Sequence, residues 1–170
     1  MPELVFRTPS IPATVGGELP LSAFLLTPSQ GAAARAMLGY VASLPLPGPD
    51  PQLLAVVVAI RAARGGTGNV IGADLSALRL CDATAAVAAL RRLGWQIADT
   101  IFDNARDAPP TAVTVPDLAH DADPLAIGRQ SRSRVSGWTK QVLSAKPVRK
   151  LPPAARLGAW VGNGQAAERS

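Results

Sequence analysis

Eight consecutive positions, Leu53 to Ile60 in the stretch QLLAVVVAIRAARGG, are apolar. Asp50-Pro51 ahead of this run is a helix start, and Gly65-Gly66 behind it is a helix stop, because glycine accepts the left-handed conformation that closes a helix. A helix apolar on nearly every face must be covered on every side, so the other segments have to pack around this one. Eight residues fall far short of the roughly 20 that cross a bilayer, so the run reads as a core helix and no membrane partner is expected.

The surrounding segments carry their own start and stop signals. Thr27-Pro28-Ser29-Gln30 is a capping box with proline at the first helical position, and Met37, Leu38, Val41 and Leu44 follow at helical spacing until Pro45 and Pro47 forbid more. Asp74 is placed to cap a short helix through Leu75 and Leu78, and Asp82 a second one through Ala86, Leu90 and Leu93, closed by Gly94. Arg79-Leu80-Cys81 joins the two as a tight turn, which makes a helix-turn-helix by geometry. Residues 68–72 have room for a connection or one short strand. After Gly94 the period becomes alternating: Trp95, Ile97 and then Ile101 or Phe102 predict one strand, Thr111 to Val115 its partner, and polar Asp103 to Pro110 the link. Before Thr27, scattered Pro and Gly predict an irregular arm, with a short strand at Leu4 to Phe6 and an apolar patch, Leu21 to Leu26, lying against the core.

From Asp50 to Pro116 this order resembles the winged helix-turn-helix family of bacterial DNA-binding proteins. The resemblance rests on the buried first helix, on ADLSALRL, on DATAAVAALRRLGW with its Leu-Arg-Arg-Leu-Gly-Trp ending, and on the two strands. Leu80 stands where many family turns carry glycine. The resemblance implies a mainly α fold with a small β-hairpin wing and additional N- and C-terminal helices. It divides the chain into an arm (1–26), a winged domain with a preceding helix (27–118) and a basic C-terminal extension (119–170). It further implies a transcriptional regulator that binds double-stranded DNA, with the second helix as reader. On that helix Ala83, Ala86, Leu90 and Leu93 form a buried stripe beside Val87, which leaves Thr84, Ala85, Ala88, Arg91 and Arg92 facing elsewhere. Thr84 suits a thymine methyl or a phosphate, and Arg91 and Arg92 suit guanine or the backbone, but the alanines offer only shape. In the wing, Arg106 suits a minor groove or phosphate, although Asp103 and Asp107 flank it.

Charge is distributed unevenly. Residues 1–123 hold 8 basic and 11 acidic side chains, whereas residues 124–165 hold 8 basic ones and no acid. Such a segment favours a polyanion through phosphate neutralisation, so Arg129, Arg132, Arg134, Lys140, Lys146, Arg149 and Lys150 join the expected DNA contacts. RQSRSR reads as a basic linker. Beyond it Val135, Trp138 and Val142 predict a short amphipathic helix ending before Pro147, and Pro152-Pro153 opens a second that carries Leu157 and Trp160. Both tryptophans are expected to be packing anchors. A homodimer joined through these helices or through the Thr27 to Leu44 helix would suit a symmetric operator.

Arginine makes up 14 of the 17 basic residues, and with abundant Ala, Gly and Pro this points to a bacterial source. Aromatics are only 4% of the chain, which favours close helix contacts around small side chains. Cys81 is the only cysteine, so neither an internal disulfide nor a cysteine-built zinc site can form; it reads as a buried turn cysteine. His120 with Asp117, Asp121 and Asp123 matches no metal-ligand spacing and reads as a turn cluster. Gly65-Gly66-Thr67-Gly68 lacks the lysine of a phosphate-binding loop. With no nucleophile placed beside a base, neither enzymatic activity nor a cofactor is expected. MPELVFRTPS has no apolar core of a secretory signal, and a cytoplasmic location follows as the expectation. The sparse reading face and the acidic balance of residues 1–123 support a rival reading. In it the chain is a protein-interaction or assembly module, including an accessory of plasmid or phage replication or conjugation.

Overall fold

A computed structural model describes residues 26–120, 125, 127–144, 150–152, 154–156 and 158. Among these residues the chain is mainly helical with one three-stranded antiparallel sheet, and no helix is long and apolar enough to cross a membrane. Helix α1 (Pro28–Ser43) opens on the expected capping box: the Gln30 N–H donates to Thr27 Oγ1 at 3.3 Å, and the Thr27 N–H donates to Gln30 Oε1 at 3.1 Å.

Helix α2 (Pro49–Ala62) is buried at every position from Leu53 to Ile60, and α1 together with the later elements α4, α5 and β1 packs around it. Its N-cap is Gly48 rather than Asp50. Pro49, with its fixed φ, is suited to the first helical position, so the helix starts ahead of the Asp50-Pro51 signal. Asp50, freed from capping, instead accepts the Asp82 N–H at 2.8 Å. Strand β1 (Thr67–Val70) follows a turn through Gly65 and Gly66. A Cβ built on Gly68 would lie 2.5 Å from the Arg61 carbonyl oxygen, so this strand passes the end of α2 with no space for a side chain.

Helix α3 (Gly72–Leu78) begins from Ile71, with Asp74 three residues in, where its carboxylate accepts the Ile71 N–H at 3.4 Å. The expected cap at Asp74 is therefore an acid inside the first turn. Gly72, the first helical residue, lies against the carbonyl of Asp103, where a Cβ would sit 2.0 Å from the oxygen. Arg79, at φ 47, ends α3 in the left-handed region. Helix α4 (Ala83–Arg92) is capped as expected, with Asp82 Oδ1 accepting the Ala85 N–H at 2.8 Å, and Gly94 at φ 85 closes it.

Strand β2 (Gln96–Ile97) is shorter than its alternating pattern predicts, and residues Asp99–Phe102 form a 3-10 turn. At the end of this strand the Ile97 carbonyl faces away from β3 and accepts from Arg91 Nε at 2.9 Å. Strand β3 (Thr111–Thr114) lies centrally, pairing Thr67 with Thr114 on one side and Gln96 with Thr114 on the other, in the order β1-β3-β2.

Helix α5 (Arg129–Ser144) absorbs the RQSRSR stretch that reads as a linker. Ile127, Val135, Trp138, Val142 and Leu143 bury into the same core as α1 to α3, and that burial extends the helical face back through the basic residues. The arm before Leu26 lies outside the described residues, as do Leu157 and Trp160; Leu26 itself is buried, and Ala154 to Arg156 are helical.

Candidate nucleic-acid interface

On α4, Thr84, Ala85, Arg91 and Arg92 are exposed and Ala88 is half-buried. Arg91 is nonetheless engaged: besides Ile97, it pairs with Asp99 at 2.7 Å, so its guanidinium fastens the end of α4 to the chain after β2. The N-terminus of α4, which would otherwise attract phosphate, carries Asp82 as its cap, with the Asp50 carboxylate on the Asp82 N–H. Arg106 is exposed at the tip of the loop between β2 and β3, between exposed Asp103 and Asp107. The Ser76 hydroxyl donates to Asn104 Oδ1 at 2.7 Å and ties that loop to α3. Around α4 and its loop, exposed Arg79, Arg91, Arg92 and Arg106 are matched by exposed Asp82, Asp99, Asp103 and Asp107. Equal numbers of opposite charge create little net attraction for a polyanion.

The C-terminal cations gather elsewhere. Arg129, Arg132 and Lys140 share one face of α5, as their spacing of three and eight requires on a helix. That face meets Arg61, in the last turn of α2, and Arg64, in the turn after it, across a cleft of about 980 Å³. Its floor is β1 with neighbouring β3, and among the described residues its lining holds five cations and no acid. Beneath it lies Asp74, only 6% exposed. Its carboxylate contacts Lys140 Nζ on one oxygen and Arg61 at 3.3 Å on the other. Arg132 donates to the Arg61 carbonyl at 3.3 Å. One buried carboxylate thus fixes a cation from α2 and another from α5.

The remaining expected contacts scatter. Arg134 faces away from the cleft, beside Gln30 and Trp138; Lys150 is exposed, and Lys146 and Arg149 lie outside the described residues. Trp138 is buried in the core. Cys81, expected to be buried, is exposed. His120 and Asp117 are exposed, with Asp117 accepting the Tyr40 hydroxyl at 3.2 Å; Asp121 and Asp123 lie outside the described residues. Arg156 is 1% exposed and donates to the Leu78 and Arg79 carbonyls at the end of α3. Burial pushes its guanidinium below the usual arginine range, while nearby Asp50 and Cys81 work against that shift and Arg79 adds to it.

Arg61 and Arg64 do not figure among the contacts expected from sequence. The available signal was the spacing of Arg129, Arg132, Ser133, Ser136 and Lys140, a polar stripe on the side of the helix opposite Trp138. No protein-family model matches the chain, and curated proteins and solved structures give no match either.

Proposed function

We propose that this chain is a DNA-binding protein on the winged helix-turn-helix plan, acting as a bacterial transcriptional regulator. The observation that carries the reading is the sequence of elements α2-β1-α3-α4-β2-loop-β3 with strand order β1-β3-β2. That order, a capped helix α4 followed by two antiparallel strands joined by a loop, supports a reader helix followed by a wing. The cation-rich α5, packed on the same core, adds phosphate-neutralising charge to that scaffold.

The test is a titration of duplex DNA across a salt series. With Arg61 and Lys140 held by Asp74, neutralising three to five phosphates gives a slope between about −2.7 and −4.5 in log K against log salt, so a fourfold rise in salt weakens binding about 40- to 500-fold. Absent or salt-independent binding would refute the reading. A second reading, a protein-interaction module on the same scaffold, gains from the balanced charges around α4 and the tethered Arg91. It is favoured if DNA is ignored while an acidic protein partner binds. A homodimer, suited to a symmetric operator, is checked by light scattering, where a monomer at high concentration would exclude it.

A further inference from the structure

From the geometry of the cleft we infer that the backbone of DNA is gripped between β1 and α5, on the far edge of the sheet from β2, and not by α4 and its loop. This rests on the DNA-binding reading above and gives it a location.

The first observation is charge. Among the described residues the cleft lining brings five cations together without an acid, two of them paired with Asp74 beneath it, whereas charges around α4 cancel. The second is the edge of the sheet. The Val115 N–H donates to the Gly66 carbonyl at 2.7 Å, and Thr67 pairs in register with Thr114. Hydrogen-bonded pairs alternate along an antiparallel ladder, so Gly68 and Val70 point their backbone groups at β3 while Thr67 and Asn69 point theirs outward. Both residues line the cleft. Their N–H groups therefore lie among the arginines as further donors to phosphate oxygens.

The third observation is an unmet donor. Arg61 Nε is buried and has no hydrogen-bond partner among the described residues, although its NH2 group holds Asp74. A buried donor of this kind costs free energy until it finds an acceptor, and a phosphate oxygen is one. The fourth is length. Arg129 and Lys140 are separated by about 16 Å along α5 at 1.5 Å per residue. One strand of B-DNA advances about 3.4 Å per phosphate along the axis while turning about a tenth of a circle each time, so a straight row of this length follows it for about three phosphates, one for each of Arg129, Arg132 and Lys140. A phosphodiester strand offers charge at this density over its whole length; a protein segment would need nearly continuous acids to do the same.

The experiment uses the full chain, a fluorescent duplex of random sequence, and two double variants at exposed positions. Arg64→Gln with Arg129→Gln lowers the salt slope by about 2 and weakens binding at least tenfold at low salt. Arg92→Gln with Arg106→Gln, on the helix and loop of the proposed reader, lowers the slope by well under half as much. Thr67→Pro removes one outward N–H at the first residue of an edge strand, where proline is tolerated, and weakens binding about fivefold with an unchanged circular dichroism spectrum. If the cleft variants bind like the parent while the α4 and loop variants lose the slope, this inference fails and the DNA-binding reading stands. If the parent shows no salt-dependent DNA binding, both fail. If poly-glutamate of matched charge displaces the duplex at equal concentration, the cleft is a site for acidic protein and the inference is overturned.

Discussion

Replacing Arg156 by methionine removes the guanidinium that closes the end of α3. The residue is 1% exposed, and its two terminal nitrogens donate to the carbonyls of Leu78 and Arg79. Hydrogen bonds from a charged donor contribute about 1.5–3 kcal/mol each. Against that loss stands a gain, since a buried charge exchanged for an apolar side chain of similar volume is often neutral or stabilising. That relief applies when both members of a polar pair are replaced. Here the acceptors are main-chain carbonyls that no mutation removes, and the last carbonyls of a helix need partners when they are covered. The orphaned acceptors therefore dominate, and Arg156→Met loses about 2–4 kcal/mol, a large share of the roughly 5–15 kcal/mol that holds a domain folded. Urea unfolding followed by the fluorescence of buried Trp95 and Trp138 measures it. Hydrogen exchange at the end of α3 should accelerate in parallel. A variant within about 0.5 kcal/mol of the parent, with the same dependence on urea, would refute the reasoning.

Three further outcomes follow from local geometry. Gly72→Ala drives a methyl into the Asp103 carbonyl, 2.0 Å from where the Cβ must sit, and lowers stability by about 1–3 kcal/mol, read as a drop in Tm. Arg79→Gly relieves a side chain held at φ 47 and raises stability by up to about 1 kcal/mol, seen as a higher urea midpoint; a fall would show that the arginine stem supplies packing that outweighs the strain. Asp82→Asn keeps an oxygen to cap Ala85 and removes a charge from the N-terminus of α4. Stability stays within about 0.5 kcal/mol, and duplex affinity measured by anisotropy is unchanged if phosphate rides in the cleft, but rises if it meets α4.

The parts legible in the sequence are those set within a few residues. The Thr27 to Gln30 box, the Asp82 cap and the Gly94 stop depend on neighbours three or four positions away, and the burial of α2 follows from its composition alone. What escaped depends on partners distant along the chain. Asp74 looks like a cap until Lys140, on another helix, meets it. The RQSRSR stretch looks like a linker because its charges hide a helical face that only burial of Val135 and Trp138 makes necessary. Arg156 stands among the tail's free cations until its contact with α3 is known. The cleft follows the same rule. Arg61 and Arg64 stand at and just past the end of the most apolar helix, where nothing local ties them to Arg129, and only packing α5 against α2 brings the two groups together.

The missing side chain at residue 68 has a consequence for how this surface can change over time. Because the backbone of that residue touches the last turn of α2 directly, strand and helix end form one rigid frame, and any larger residue there would wedge them apart. Positions such as 64 and 129 stand on the rim, where sequence drift changes charge and leaves the frame intact. Descendants of this chain can therefore change the charge this surface presents by single exchanges at the rim.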